Sequence, residues 1–183
     1  RGARNVALVA SVIGRDFDAS LLAAVLGSDG DELDVFLSEL ASARILVASG
    51  SVPGARMFRH ALIQDTAYQS LLSRTRRAHH LSIAHHLETG LGDAIDREPE
   101  VIARHFSEAA HPREAIKYWT KAAERALARS ADFEAVEHAK AAYANADQLE
   151  DTAAITSAKI ATGVLLGRAF ESSGEIYEAC KVL

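Results

Sequence analysis

Eight histidines in 183 residues are the first groups to weigh, because an imidazole can ligate a metal, move a proton or meet an anion near neutral pH. Four of them, His79, His80, His85 and His86, lie in "RRAHHLSIAHHLE". A helical metal pair needs i,i+3 or i,i+4 spacing so that both rings face one point. His79 and His86 are seven positions apart, about 10 Å along a helix axis, and His80 and His85, five apart, point to diverging faces. No metal site is expected from them; they read as histidines solvated or partly packed on an amphipathic helix. A fifth, His60 in "MFRHALIQDTAY", stands where a short strand hands over to an amphipathic helix. No catalytic partner accompanies it. Two readings are open: the ring caps or packs locally, or it offers a donor to an anion beside the free amides of a helix N-terminus.

The remaining inventory excludes familiar chemistries. The first lysine is Lys117, and there is no G-x-x-x-x-G-K-[ST] phosphate loop, no G-x-S-x-G and no H-E-x-x-H,. No catalysis and no resident cofactor are expected from this chain. A single cysteine, Cys180, allows neither an internal disulfide nor a cysteine-based zinc site. The composition, 49% apolar and 25% charged, is that of a globular protein. No apolar run approaches the roughly 20 residues that span a bilayer, and nothing resembles a signal peptide, so a cytoplasmic location without membrane contact is expected. The chain begins at Arg1 and stops at Leu183 inside an apparent helix; it reads as a fragment of a longer polypeptide.

The elements that must position His60 follow from periodicity. "RNVALVASVIG" is a helix stopped at Gly14; "DFDASLLAAVLG" is a second, with Asp18 as N-cap, Leu21, Leu22, Val25 and Leu26 as its buried face and Gly27 as terminator,. "DGDELDVFLSELASA" sets Leu33, Phe36, Leu37 and Leu40 at i, i+3, i+4 and i+7, with acids in its first turns,. Ile45 to Val47 and Met57 to Phe58 read as two strands around a turn holding Gly50, Pro53 and Gly54,. A helix from Ala61 to Leu72 closes the unit through Ile63, Ala67, Tyr68, Leu71 and Leu72. Three helices followed by a β-hairpin is the order of a winged helix, placed at residues 1–73.

Residues 74–98 read as a connecting helix and loop, and residues 99–183 as successive antiparallel helical hairpins. Breaks are expected at "GLGD", "EPE", "HPRE", "SADFE" and "SSGE", with Pro99 and Pro112 in first turns and Asp132 as an N-cap,. Leu166, Gly167, Phe170, Gly174, Ala179 and Leu183 fall on the tetratricopeptide (TPR) template of large, small, aromatic and again small residues at a helix crossing,. Trp119, Ala122, Ala123, Ala126, Ala135 and Ala139 fit the same template in one phase, and Ile102, Ala103, Phe106, Ala115 and Trp119 in another. Ala122 precedes Leu166 by 44 residues, where the repeat is about 34 long, so the register stays open. A generic alanine-rich bundle would show similar spacing. The fold class is therefore mainly α, a winged-helix-like domain with a small β-hairpin followed by TPR-like hairpins.

A winged helix invites a nucleic-acid reading, which charge opposes. The third helix, which would enter a major groove, offers Asp31, Glu32, Asp34, Ser38 and Glu39 and no base before Arg44; phosphate contacts supply most of the attraction to DNA. Residues 1–75 carry seven arginines against eight acids, and residues 76–183 thirteen bases against seventeen acids. Arg56, Arg59 and "SRTRR" are the local basic features. Nucleic acid is not an expected partner.

"VASVIGRDFDASLLAAVLG", "FRHALIQDTAYQSLLSRTRRAHHLSIAHHLE" and "PEVIARHFSEAAHPREAIKYWTKAAERALARSADFEAVEHAKAAY" together resemble the region after the ATPase core of STAND-type regulatory NTPases. They are most similar to that of large bacterial proteins joining an adenylate/guanylate cyclase domain, an AAA-like ATPase and TPR repeats; related modules occur in LuxR-type transcriptional regulators. The resemblance implies a winged helix packed on a nucleotide domain and repeats that receive a signal or a protein partner on their groove. Nucleotide-binding relatives within that class, the plant resistance proteins and apoptosome ATPases, carry a methionine-histidine-aspartate motif at the strand-to-helix junction, whose histidine contacts the β-phosphate of ADP. On this sequence Arg59 takes the methionine position, His60 the histidine and Ala61 the aspartate, followed by Leu62, Ile63 and a matching Asp65. By that resemblance His60 would sense a nucleotide held by another domain, with ATP or ADP in the parent protein, and the chain would act by signal transduction and protein interaction. The alternatives are a TPR scaffold without nucleotide coupling and a fragment of a transcriptional regulator.

Overall fold

In the computed structural model residues 2–49, 54–90 and 98–174 are described. The chain is mainly helical with one small antiparallel sheet, and it divides into two compact units, Arg1–Gly90 and Leu91–Leu183. Each has its own core.

In the first unit α1 (Gly2–Ile13) buries Val6, Val9, Ala10, Val12 and Ile13. The chain then forms β1 (Asp16–Asp18), a strand absent from the sequence reading, before entering α2 (Ala19–Leu26). Asp18 ends the strand and caps the helix, its carboxylate accepting from the Ser20 N–H at 2.7 Å. Gly27 adopts φ 61°, and the Ser28 N–H returns to the Ala23 carbonyl at 3.2 Å, which satisfies carbonyls left open at the helix end. Helix α3 (Gly30–Ser42) buries Leu33, Leu37 and Leu40. It stops without a glycine: Arg44 takes φ 58° while Ile45 N–H donates to Leu40 O at 2.9 Å.

The strands β2 (Leu46–Ala48) and β3 (Ala55–Phe58) are shifted slightly from the expected spans, and β3 lies centrally in the order β1-β3-β2. Phe17 pairs with Arg56 on one side and Leu46 with Phe58 on the other. Alternation sends Phe17, Leu46 and Phe58 into the core,, where the Phe17 and Phe58 rings sit 5.9 Å apart. β1 is too short to betray itself by periodicity; the backbone groups of β3 recruit it. Of the expected turn, Gly50 and Pro53 lie outside the described residues.

Helix α4 (Ala61–Gln69) is shorter than expected. Ser70 and Leu71 bond back to Thr66 and Tyr68, and Leu72, assigned to the buried face, is 76% exposed. Leu72 stands at the corner from which α5 (Ser73–Gly90) turns to lie on α1 and α2. There Ile83 joins the core, so α5 is part of the first unit.

The second unit stacks α6 (Pro99–Glu108), α7 (Pro112–Ala128), α8 (Asp132–Ala146) and α9 (Thr152–Ser173), each against the next. Pro99 and Pro112 occupy first turns, where the missing N–H costs nothing. Asp132 is the first helical residue rather than the cap, which is Ala131; its carboxylate accepts from the Ser172 hydroxyl of α9. The chain also breaks where no break was expected, at residues 147–151. Glycine and proline are absent there, and the device is Asp151, whose carboxylate accepts from the Ala153 and Ala154 N–H groups at 3.2 and 3.3 Å,. Lys159 of α9 closes the corner on Asp147 at 2.5 Å, a hydrogen bond that raises the lysine pKa.

Most residues of both expected repeat phases are buried, although Trp119, common to the two, is half-buried and Gly174 is exposed. Ile102, Ala103, Phe106 and Ala115 are buried, and so are Ala122, Ala123, Ala126, Ala135, Ala139, Leu166 and Phe170, because every helix in the stack has a neighbour to approach closely. Gly174 ends α9 at φ 81°. Ala179, Cys180 and Leu183, like residues 91–93 of "GLGD" and Glu175 of "SSGE", lie outside the described residues.

Candidate functional site

His60 is placed by two anchors. The Phe58 N–H donates to Arg15 O at 2.9 Å and the Arg59 N–H to Ile45 O at 3.0 Å, so the chain leaves the sheet at a fixed point. Five residues on, α4 is held to α1 by Gln64 Nε2 donating to Ser11 O at 3.1 Å. Between these anchors His60 is the N-cap of α4, with extended backbone (φ −132°, ψ 137°) and its carbonyl accepting from Ile63 N–H at 3.0 Å. Its side chain makes no capping bond, and the residue is exposed. Local capping is therefore done by the backbone alone, and the ring is presented outward beside the first turn, where the helix potential is positive. Arg59, Ala61, Leu62 and Asp65 are exposed with it.

The four histidines of α5 face different ways. His80 is buried and hydrogen-bonded to the Tyr68 hydroxyl, Nε2 and Oη lying 3.0 Å apart. Arg76 lies over the same tyrosine ring at 5.0 Å and donates to Gln69 Oε1 at 3.1 Å. His86 Nδ1 is 2.8 Å from Ser82 O, and His85 approaches Glu88 at 3.5 Å. Burial lowers the pKa of His79. Tyr68 and His80 thus knit α4 to α5, a role invisible in a spacing test for metal pairs. Among the described residues no three His, Cys, Asp or Glu side chains converge as a metal group would require.

In the second unit Trp119 donates its Nε1–H to Ser107 Oγ at 2.9 Å and stacks on His138, ring centroids 5.4 Å apart. Burial lowers the His138 pKa, against a rise from Glu100 and Glu134, with a further lowering by Arg129 and a rise from Glu137. On the outer side of α9, Ile160 and Val164 are exposed and border a cleft of about 350 Å³ with Tyr143, Ile155, Lys159 and Gly163.

The basic features of the first unit spread rather than converge. Arg56 donates to the Gly54 and Ala55 carbonyls at 3.4 and 3.3 Å; in "SRTRR", Arg76 is committed to Tyr68 and Gln69, and Arg74 and Arg77 are exposed. The α3 surface is lined by Asp34, Val35, Ser38, Glu39 and Ser42. No described helix is long and apolar enough to cross a membrane.

No family model and no solved structure matches the chain. It is similar to an uncharacterized protein of Rhizobium meliloti (strain 1021), 30% identical over 142 residues, which cover 75% of this chain and 14% of that protein. The chain thus corresponds to a small part of a much longer relative.

Proposed function

We propose that the chain is a non-catalytic regulatory region of a multidomain signalling ATPase, a winged-helix unit followed by TPR-like hairpins. It would couple the state of a nucleotide domain, or the binding of a protein partner, to an output such as cyclic-nucleotide synthesis. The observation that carries this reading is His60: an exposed imidazole at the N-cap of α4, unused by its own fold. A phosphate supplied by a neighbouring domain could accept from that ring in one domain arrangement only, which biases a two-state switch. The order of elements, a helix, a strand, two helices, two strands and a helix around a three-stranded sheet, supports the winged-helix reading. The stacked, alanine-lined helices α6 to α9 support the repeats,.

The test is the nucleotide content of the chain in its native polypeptide, purified, denatured and separated by chromatography, for wild type and His60→Ala. ADP retained by the wild type and lost by the folded variant is the expected result. Equal retention would sink the sensor role. The exposed apolar rim of the α8/α9 cleft, Ile160 and Val164, favours a second reading, a scaffold that binds a protein without nucleotide coupling. Absence of nucleotide from both proteins would favour it.

A further inference from the structure

A groove of about 420 Å³ runs between α1 and α4, floored by Ala7, Leu8, Ile45, Phe58, Ile63 and Ala67. Its two hydroxyl residues are spent on their own helix: Thr66 donates to Leu62 O and Ser70 to Ala67 O, each at 2.7 Å. The floor therefore presents no free side-chain donor, and a ligand would meet an apolar trough. Leu62 stands on its lip, 74% exposed, in a helix with no fully buried residue. Leu62 itself lines the groove and extends its apolar surface.

The rim carries one cation, Arg4, and two more stand next to lining residues in the chain. These are Arg44 and Arg59, which adjoin Ile45 and Phe58 and are brought to one end by the bond from Arg59 N–H to Ile45 O. All three arginines are exposed, and among the described residues none has an ion-pair partner. Helix α1, β2, β3 and α4 contain a single acid, Asp65, whereas α3 carries four acids and no base. Of the exposed arginines of the unit, Arg4 lines the groove and Arg44 and Arg59 flank residues that line it, while the face of α3 is acidic.

We propose that this groove docks an amphipathic helix of a partner protein, its apolar stripe entering between α1 and α4 and its acidic flank meeting Arg4, Arg44 and Arg59. A concave trough between two helices takes a ridge, which favours a helix over a flat anionic lipid surface or a duplex. Opposite charge on the flank sets orientation and encounter rate, and the stripe supplies affinity. The inference is independent of the His60 reading, since it needs no nucleotide.

The probes are two synthetic helices of ~14 residues, about four turns, sharing one leucine stripe at i, i+3, i+4 and i+7, with glutamates on the flank of one and lysines on the other. They are titrated into the isotope-labelled chain and followed by amide chemical shifts. The glutamate peptide is expected to move Ala7, Leu8, Ile63 and Ala67 and to bind about tenfold more tightly than the lysine peptide. Leu62→Glu, at a position exposed enough to leave the fold intact, should weaken binding about tenfold or more. The double variant Arg4→Glu/Arg59→Glu should invert the peptide preference. Equal binding of the two peptides, shifts that map outside the groove, or no binding would overturn the proposal. Movement of the same amides by phosphatidylserine vesicles or duplex DNA more strongly than by the glutamate peptide would overturn it in favour of those ligands.

Discussion

The two units solve the same problem, covering a helix, with opposite side chains. Among the described residues the first buries Val, Leu, Ile and Phe around a small sheet and only three alanines, Ala10, Ala55 and Ala84; the second buries eleven, from Ala103 to Ala169. Large side chains fill the space left where helices cross a sheet and one another at varied angles. Alanines bring helix backbones together, so that α6 to α9 gain contact by proximity. Deletion of volume should therefore hurt most in the first unit, and addition of volume most in the second.

The largest effect expected follows directly. Phe58→Ala, at a residue with 0% exposure beside Phe17, should cost about 3–5 kcal/mol. Its counterpart, Ala123→Leu, also at 0% exposure, should cost about 1–3 kcal/mol by forcing α7, α8 and α9 apart. Urea unfolding of both variants measures this, and a near-neutral Ala123→Leu would break the comparison by revealing a loose second core.

A smaller, stabilising change sharpens it. Helices α3, α6 and α7 end on Arg44, Ala110 and Ser130 in the left-handed region, φ 58°, 60° and 55°, where an L-residue costs roughly 1–2 kcal/mol. Ala110→Gly should recover about 1 kcal/mol of that strain, read as a raised midpoint in urea; a lowered midpoint would show that unfolded-chain entropy outweighs it.

The smallest effect is pH-dependent. Burial holds the His138 pKa below its ordinary value, so between the folded and unfolded pKa the unfolded chain binds more protons. Stability attributable to this group is present above the unfolded value, about 6.5, and is lost as pH falls from there through the folded value. His138→Gln should flatten thermal stability between about pH 7.5 and 5.5 relative to wild type. An unchanged slope would remove His138 as its source.

Much of this arrangement was legible in residue order. The caps at Asp18 and Gly27, the first-turn prolines and the buried faces of α1 and α3 follow from local chemistry that operates within one or two turns. Two of the misses come from contacts between distant segments and one from a local cap that was passed over. β1 exists because β3 offers unpaired backbone groups; α4 stops at Gln69 because α5 must turn onto α1 and α2; the break at residues 147–151 uses an aspartate cap where a glycine or proline was sought. At the candidate site, the position of His60 at a helix entrance was readable from "FRHALIQD". That its ring would be left free, and that Leu62 would share a groove with Arg4, Ala7 and Leu8 of α1, was not.

The sequence alone determined a mainly helical chain without the motifs of the catalysts considered, because periodicity, capping and motif spacing are properties of neighbouring residues. Tertiary structure decided which polar groups are spent and which are left over. His80 is consumed by Tyr68 and the Thr66 and Ser70 hydroxyls by their own helix, while His60, Arg4 and Arg59 stay exposed. That division depends on which segments far apart in the chain pack together.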